Sequence, residues 1–121
     1  MDMFAGVPVR DIAAAEAWYA RFFGGGPSFR PNEAEAVWEI VEHGYVFLRQ
    51  APEHAGHAAH TLFVRDVDGW AARLEGADLK PEVVEEYENG VRKLVFHDPD
   101  GNELGIGGTV RQPTATRLRP V

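Results

Sequence analysis

The chain has 121 residues, 45% apolar and 11% aromatic, with 19 Asp and Glu against 12 Lys and Arg and a formal net charge of −7. That apolar share can build a core, which excludes whole-chain disorder, and the acidic balance disfavours nucleic acid or an anionic membrane as partner, because both need clustered Lys and Arg. The absence of cysteine excludes disulfides, thiolate nucleophiles and Cys-ligated metal centres.

An apolar first strand ends at Val9-Arg10-Asp11, and Ile12 to Phe22 then carries apolar residues at helical spacing, with Asp11 as the N-cap. Ile12, Ala15, Tyr19 and Phe22 are the expected helix-to-sheet contacts. Gly24-Gly25-Gly26 ends the helix, and runs at about 27 to 31, 34 to 42 and 44 to 50 read as strands joined by turns. Residues 51 to 57 form a join. Val64-Arg65-Asp66-Val67 then echoes Val9-Arg10-Asp11-Ile12, and the same order of elements returns: strand 58 to 65, helix 67 to 75 packed through Val67 and Leu74, and strands near 81 to 87, 91 to 97 and 102 to 107. The turns His43-Gly44 and Asp100-Gly101, each before a last strand, are taken as equivalent points of the repeat. The chain therefore reads as α+β, with tandem βαβββ modules at about 3–50 and 58–107 in one domain, 1–108, because neither half alone could bury both its helix and its sheet face. Residues 109–121 hold Arg111, Arg117 and Arg119 and no acid, and read as a flexible basic tail, so the acidity belongs to the modules. No apolar run approaches the roughly 20 residues of a membrane span and no signal-like start is present, so the expected compartment is the cytoplasm.

The paired βαβββ units, a strand ending in Val-x-Asp, a helix with Trp18-Tyr19 before Phe22-Phe23-Gly24, and His97-Asp98-Pro99-Asp100-Gly101-Asn102 near the end resemble the vicinal oxygen chelate superfamily. That superfamily includes glyoxalase I, extradiol dioxygenases, fosfomycin-modifying enzymes and bleomycin-resistance proteins. The resemblance covers roughly residues 3 to 107. It implies curved four-stranded sheets around a cavity in which the enzymes hold a divalent metal through His and Glu. Carried over residue by residue, the ligand positions fall on Phe4, Leu48, Ala59 and Gly105, none of which has a donor atom. The implied metal site is read as absent and no cofactor is expected. A one-residue register change would bring His60 and Glu103 to the cavity, but moving every strand would also turn Val7, Val9, Leu62, Val64, Leu104 and Ile106 away from the helices; a local bulge leaves the alternative open.

Strand parity places Phe4, Gly6, Pro8, Val46, Leu48, Gln50, Ala59, Thr61, Phe63, Glu103 and Gly105 on the concave side, joined by Trp38 from the third strand. Phe4, Phe63 and Trp38 offer flat faces for a planar or cationic ligand, Gly6, Ala59 and Gly105 leave space, and Gln50, Thr61 and Glu103 supply polar groups. Glu33, Glu35, Glu39 and Glu42, and again Glu82, Glu85, Glu86 and Glu88, read as solvated faces or, at a pocket mouth, as an attraction for a basic ligand. His54, His57 and His60 start in a Pro/Gly/Ala loop that does not align them, and His97 is a candidate base against which nothing in the sequence places a carboxylate. Pro8 suits an edge strand. The resemblance is nearest in character to the bleomycin-resistance branch, which implies a homodimer, often with exchanged first strands. The leading reading is a metal-free protein that sequesters an aromatic or cationic antibiotic or secondary metabolite without chemistry. The alternative is a metal-dependent enzyme with displaced ligands, a glyoxalase-like lyase, dioxygenase or thiol transferase.

Overall fold

Both helices begin where an aspartate satisfies their first amides. Asp11 is extended, and its Oδ1 accepts from the amides of Ala13 (2.9 Å) and Ala14 (3.2 Å), while Gln50 Oε1 accepts from the amide of Ile12 at 2.9 Å. These are donors that an α-helix leaves without an internal partner. Helix α1 (Ile12–Phe23) stops at Gly24, whose φ of 86° is left-handed, and the Gly24 and Gly25 amides both return to the Ala20 carbonyl. Its buried residues, Ala15, Tyr19 and Phe22, are those expected to face a sheet. Helix α2 (Val67–Gly76) opens on Asp66, whose Oδ1 accepts from the Gly69 amide at 2.9 Å, and it buries Val67 and Leu74.

The computed structural model describes residues 1–110; most of the segment read as a basic tail, 111–121, lies outside the described residues. The strands form two four-stranded sheets. The first has the order β1-β4-β3-β2, from β1 (Met3–Val9), β2 (Phe29–Asn32), β3 (Glu35–Val41) and β4 (Gly44–Gln50). In it β1 runs parallel to β4 and the other neighbours are antiparallel. The second has the order β5-β8-β7-β6, from β5 (Ala59–Phe63), β6 (Val83–Glu86), β7 (Val91–His97) and β8 (Glu103–Thr109). This is the α+β, twice-repeated βαβββ order read from the sequence, with β8 reaching Thr109. Among the described residues two compact units result: Met1–Ala58 with Asp98–Glu103, and Ala59–His97 with Leu104 to Val110. No helix among the described residues is long and apolar enough to cross a membrane.

Register decides which residues each sheet presents to its helix. In the first sheet Val7 pairs with Leu48 and Ala5 with Val46, while Trp38 pairs with Val46 and Ala36 with Leu48. Paired residues share a face. Val7, Ala36, Trp38, Val46 and Leu48 are all buried there, and α1 packs against β3 and β4. Trp38 lies against the rings of Tyr19 and Phe23 and donates its indole N–H to the Gly25 carbonyl at 2.9 Å. In the second sheet Leu104 and Ile106 are fully buried, and a Cβ placed on Gly108 would stand 2.9 Å from Val67 Cβ of α2.

The segment Asp98–Gly101 is locked by its own polar groups. Asp98 Oδ1 accepts from the amides of Asp100 and Asn102, and Oδ2 accepts from the Tyr19 hydroxyl (2.8 Å) and Asn102 Nδ2 (2.9 Å). Burial and the Asp98 carboxylate push the Tyr19 phenol far above its usual pKa. Asn102 is fully buried and uses its whole amide: Nδ2 also donates to the Pro8 carbonyl at 2.9 Å, and Oδ1 accepts from the amides of Gly56 (3.1 Å) and Ala58 (3.0 Å). Arg10 pairs with Asp100 at 3.1 Å. Truncating Asn102 to alanine would strand the Gly56 and Ala58 amides and the Pro8 carbonyl, so Asn102→Ala is expected to lower unfolding free energy by roughly 3 kcal/mol, read by urea denaturation. A loss within experimental error would show that this network does not hold the segment.

Candidate functional site

In each sheet the face turned away from its helix is left to carry function. On the first sheet this face is made by Phe4, Gly6 and Pro8 of β1, opposite Tyr45, Phe47 and Arg49 of β4 in register, with Glu35, Val37 and Glu39 of β3 beyond them. Phe4 stacks on Tyr45 with ring centroids 4.4 Å apart and planes 8° from parallel, and meets Phe47 edge-on at 6.4 Å. A Cβ on Gly6 would stand 2.8 Å from Phe47 Cζ, so the absence of a side chain there is what lets the Phe47 ring lie across β1. Phe4 remains 49% exposed. The result is an aromatic plate open to solvent and bordered by carboxylates. Burial, the nearby carboxylates of Glu39 and Asp2, and a hydrogen bond to Glu39 push the Tyr45 phenol above its usual pKa.

The corresponding face of the second sheet is sparser. A Cβ on Gly105 would stand 2.9 Å from both Lys93 Cε and Thr61 Oγ1, and one on Gly107 would stand 3.5 Å from Phe63 Cδ1. Thr61, Phe63, Lys93, Gly105 and Gly107 therefore share this face. Ala59, two residues before Thr61, is exposed on the same side of β5, and Glu103, half-buried, opens β8 on the side of Gly105.

Four of the expected pocket residues are elsewhere. Trp38, Val46 and Leu48 are under α1, and Gln50, in register with buried Val9, spends its side chain on the α1 N-terminus. The cause is the assumed equivalence of Gly44 and Gly101. β4 starts at Gly44 itself, whereas Asn102 intervenes between Gly101 and the start of β8, so an equal count from the two glycines ends on opposite faces. Matching buried Val46-x-Leu48 with buried Leu104-x-Ile106 sets Phe47 against Gly105 and would have identified Tyr45, Phe47 and Arg49, which the sequence reading missed. Lys93 was missed because a lone lysine in a strand carries no pattern. His97 was read as having no carboxylate against it, but its Nδ1 lies 2.5 Å from Glu82 Oε2, an ion-pair distance without hydrogen-bond alignment.

The donor set does not fit a divalent metal. Phe4, Phe47, Ala59 and Gly105 offer none of the imidazole or carboxylate groups such an ion needs, His60 alternates to the opposite side from Thr61, and among the described residues no three His, Cys, Asp or Glu are grouped to hold one.

Residues 2–106 match the family described as Glyoxalase/Bleomycin resistance protein/Dioxygenase superfamily. No curated protein matches the chain. Among solved structures it is similar to a glyoxalase / bleomycin resistance protein from Catenulispora acidiphila DSM 44928, 42% identical with a TM-score of 0.87 over 91% of this chain and 99% of that one. A bleomycin-binding protein complexed with bleomycin is 19% identical, with a TM-score of 0.73 over 91% of this chain and 99% of that one. Lactoylglutathione lyase from Agrobacterium tumefaciens is 22% identical, with a TM-score of 0.73 over 89% and 92%. At these last two identities the likeness is one of fold alone.

The Tyr45 environment is directly measurable. Removing the Glu39 charge stabilises the phenolate relative to the phenol, so Glu39→Gln is expected to lower the Tyr45 midpoint toward its ordinary value, followed through the ring-carbon NMR signal during alkaline titration. An unchanged midpoint would mean that the carboxylate does not border the plate.

Proposed function

The chain belongs to the Glyoxalase/Bleomycin resistance protein/Dioxygenase superfamily, and from that premise we propose that it is a metal-free binding protein that sequesters an aromatic, cationic small molecule. The observation that carries this reading is the Phe4–Tyr45 stack, half open to solvent on a helix-free face and edged by Glu39. A planar ring laid on that plate gains stacking and apolar burial, and a positive charge on it gains from the ring faces and the carboxylates. The acidic character of the chain favours capture of such a ligand over an anionic one. The helix-free positions that would have to hold a metal carry aromatic rings, a methyl group or no side chain, which supports storage of the ligand rather than its conversion.

We propose a second copy of the chain as its partner. β1, an edge strand in the first sheet, contains Pro8, which cannot donate to a further strand at that position.

Calorimetric titration with glycopeptide, enediyne, quinone and mitomycin-type compounds tests the function, with mass spectrometry of the ligand recovered afterwards. Saturable binding of at least one compound, returned unchanged, is expected, and Phe4→Ser should weaken it about tenfold, near 1.4 kcal/mol. No saturable binding across the panel, or recovery of a converted product, would overturn the reading.

A further inference from the structure

Where β5, β8 and β7 run side by side, Thr61 and Lys93 reach from the two outer strands toward the same glycine. Gly105 is buried, and any Cβ there would press on Lys93 Cε and Thr61 Oγ1 alike, each at 2.9 Å. Glycine thus lets the lysine stem and the threonine hydroxyl close over the middle strand. Lys93 is half-buried in this position, unlike the exposed Lys80, whose ammonium water can solvate from all sides.

Among the described residues the other charged groups nearby, Glu103 on the same face included, form no ion pair with Lys93. Arg92, the preceding residue, is held by Asp68 at 2.8 Å and Glu86 at 2.9 Å. Glu85, in register with Lys93, accepts from the Tyr87 hydroxyl at 3.2 Å. Among the described residues neither the Lys93 ammonium nor the Thr61 hydroxyl has a hydrogen-bond or ion-pair partner. An ammonium carries three donors and no acceptor, and a hydroxyl can turn its proton to suit. Donors of this kind, grouped on a face that covers no helix, match a group that is all acceptor and negatively charged.

We propose that Lys93 and Thr61 form a subsite on the second sheet for the carboxylate of a small organic molecule. This rests on the reading that the helix-free faces take up organic molecules, and it adds that a molecule taken up on the second sheet is a zwitterion or an acid. Lys93 supplies the charge, Thr61 a second directed hydrogen bond, and Gly105 the room for both.

The probes are benzoate and its neutral counterpart benzamide, titrated into the full chain while the Thr61 methyl and Lys93 Cε signals are followed by carbon-13 NMR. Benzoate should shift both signals saturably, with an affinity about tenfold above that of benzamide, because the charge-assisted contact is lost in the amide. Lys93→Met keeps an unbranched stem over Gly105 and removes the charge, and should abolish the benzoate shift at Thr61 with the melting temperature unchanged. Thr61→Val, read at Lys93, should weaken benzoate severalfold and gives a second variant should the first misfold. No saturable shift, an equal response to benzamide, or a benzoate response that survives the loss of the lysine would each overturn the subsite. A natural-product ligand that binds while benzoate does not would sink the subsite alone; benzoate binding with an empty panel would sink the aromatic-cation reading and leave the subsite standing.

Discussion

Successive residues of a strand face opposite ways, and in each sheet one face is obliged to cover a helix. Everything else about the candidate site follows from which residues that obligation consumes. In the first sheet it takes Val7, Val9, Trp38, Val46 and Leu48. What remains is Phe4, Gly6, Tyr45 and Phe47, a set with rings and space. In the second it takes Leu104 and Ile106, leaving Gly105 and Gly107 on the other face, with Thr61, Phe63 and Lys93 closing over them. Where residues alternate in this way a side chain cannot serve both faces, and a helix-facing residue is lost to binding however suitable its chemistry.

Glycine acts on both open faces by the same means. At Gly6 the missing side chain admits the ring of Phe47, and at Gly105 it admits Lys93 and Thr61. Neither position requires glycine for its backbone angles, since neither has a positive φ. The space itself is the contribution, and a neighbouring strand fills it with a group that then faces outward. The first sheet becomes an aromatic plate by this route and the second a polar patch, which is how two copies of one βαβββ pattern come to carry different chemistry.

The element order, the two aspartate caps and the apolar stripes of both helices were legible in the sequence because each depends on local periodicity and on side chain to backbone contacts a few residues apart. The face of β4 was not. Tyr45-Val46-Phe47-Leu48 is apolar at every position, so alternation alone leaves its orientation open, and the turn glycines were a poor ruler because Asn102 sits between Gly101 and β8. Gln50 belongs to a helix N-terminus that lies 38 residues earlier, a contact no local pattern announces. The Asp98 and Asn102 network had a visible motif in Asp-Pro-Asp-Gly-Asn. Its partners Tyr19, Gly56 and Pro8 emerge only when the chain is folded.

The central claim is that the helix-free faces present surfaces for an organic ligand at positions where metal donors are missing. Addition of Mn²⁺ to the labelled protein tests this most directly, because a bound paramagnetic ion broadens every nearby resonance. The account predicts that one equivalent leaves the Tyr45 ring and Thr61 methyl signals as sharp as they are in excess chelator. Selective loss of either signal at one equivalent, reversed by the chelator, would contradict it.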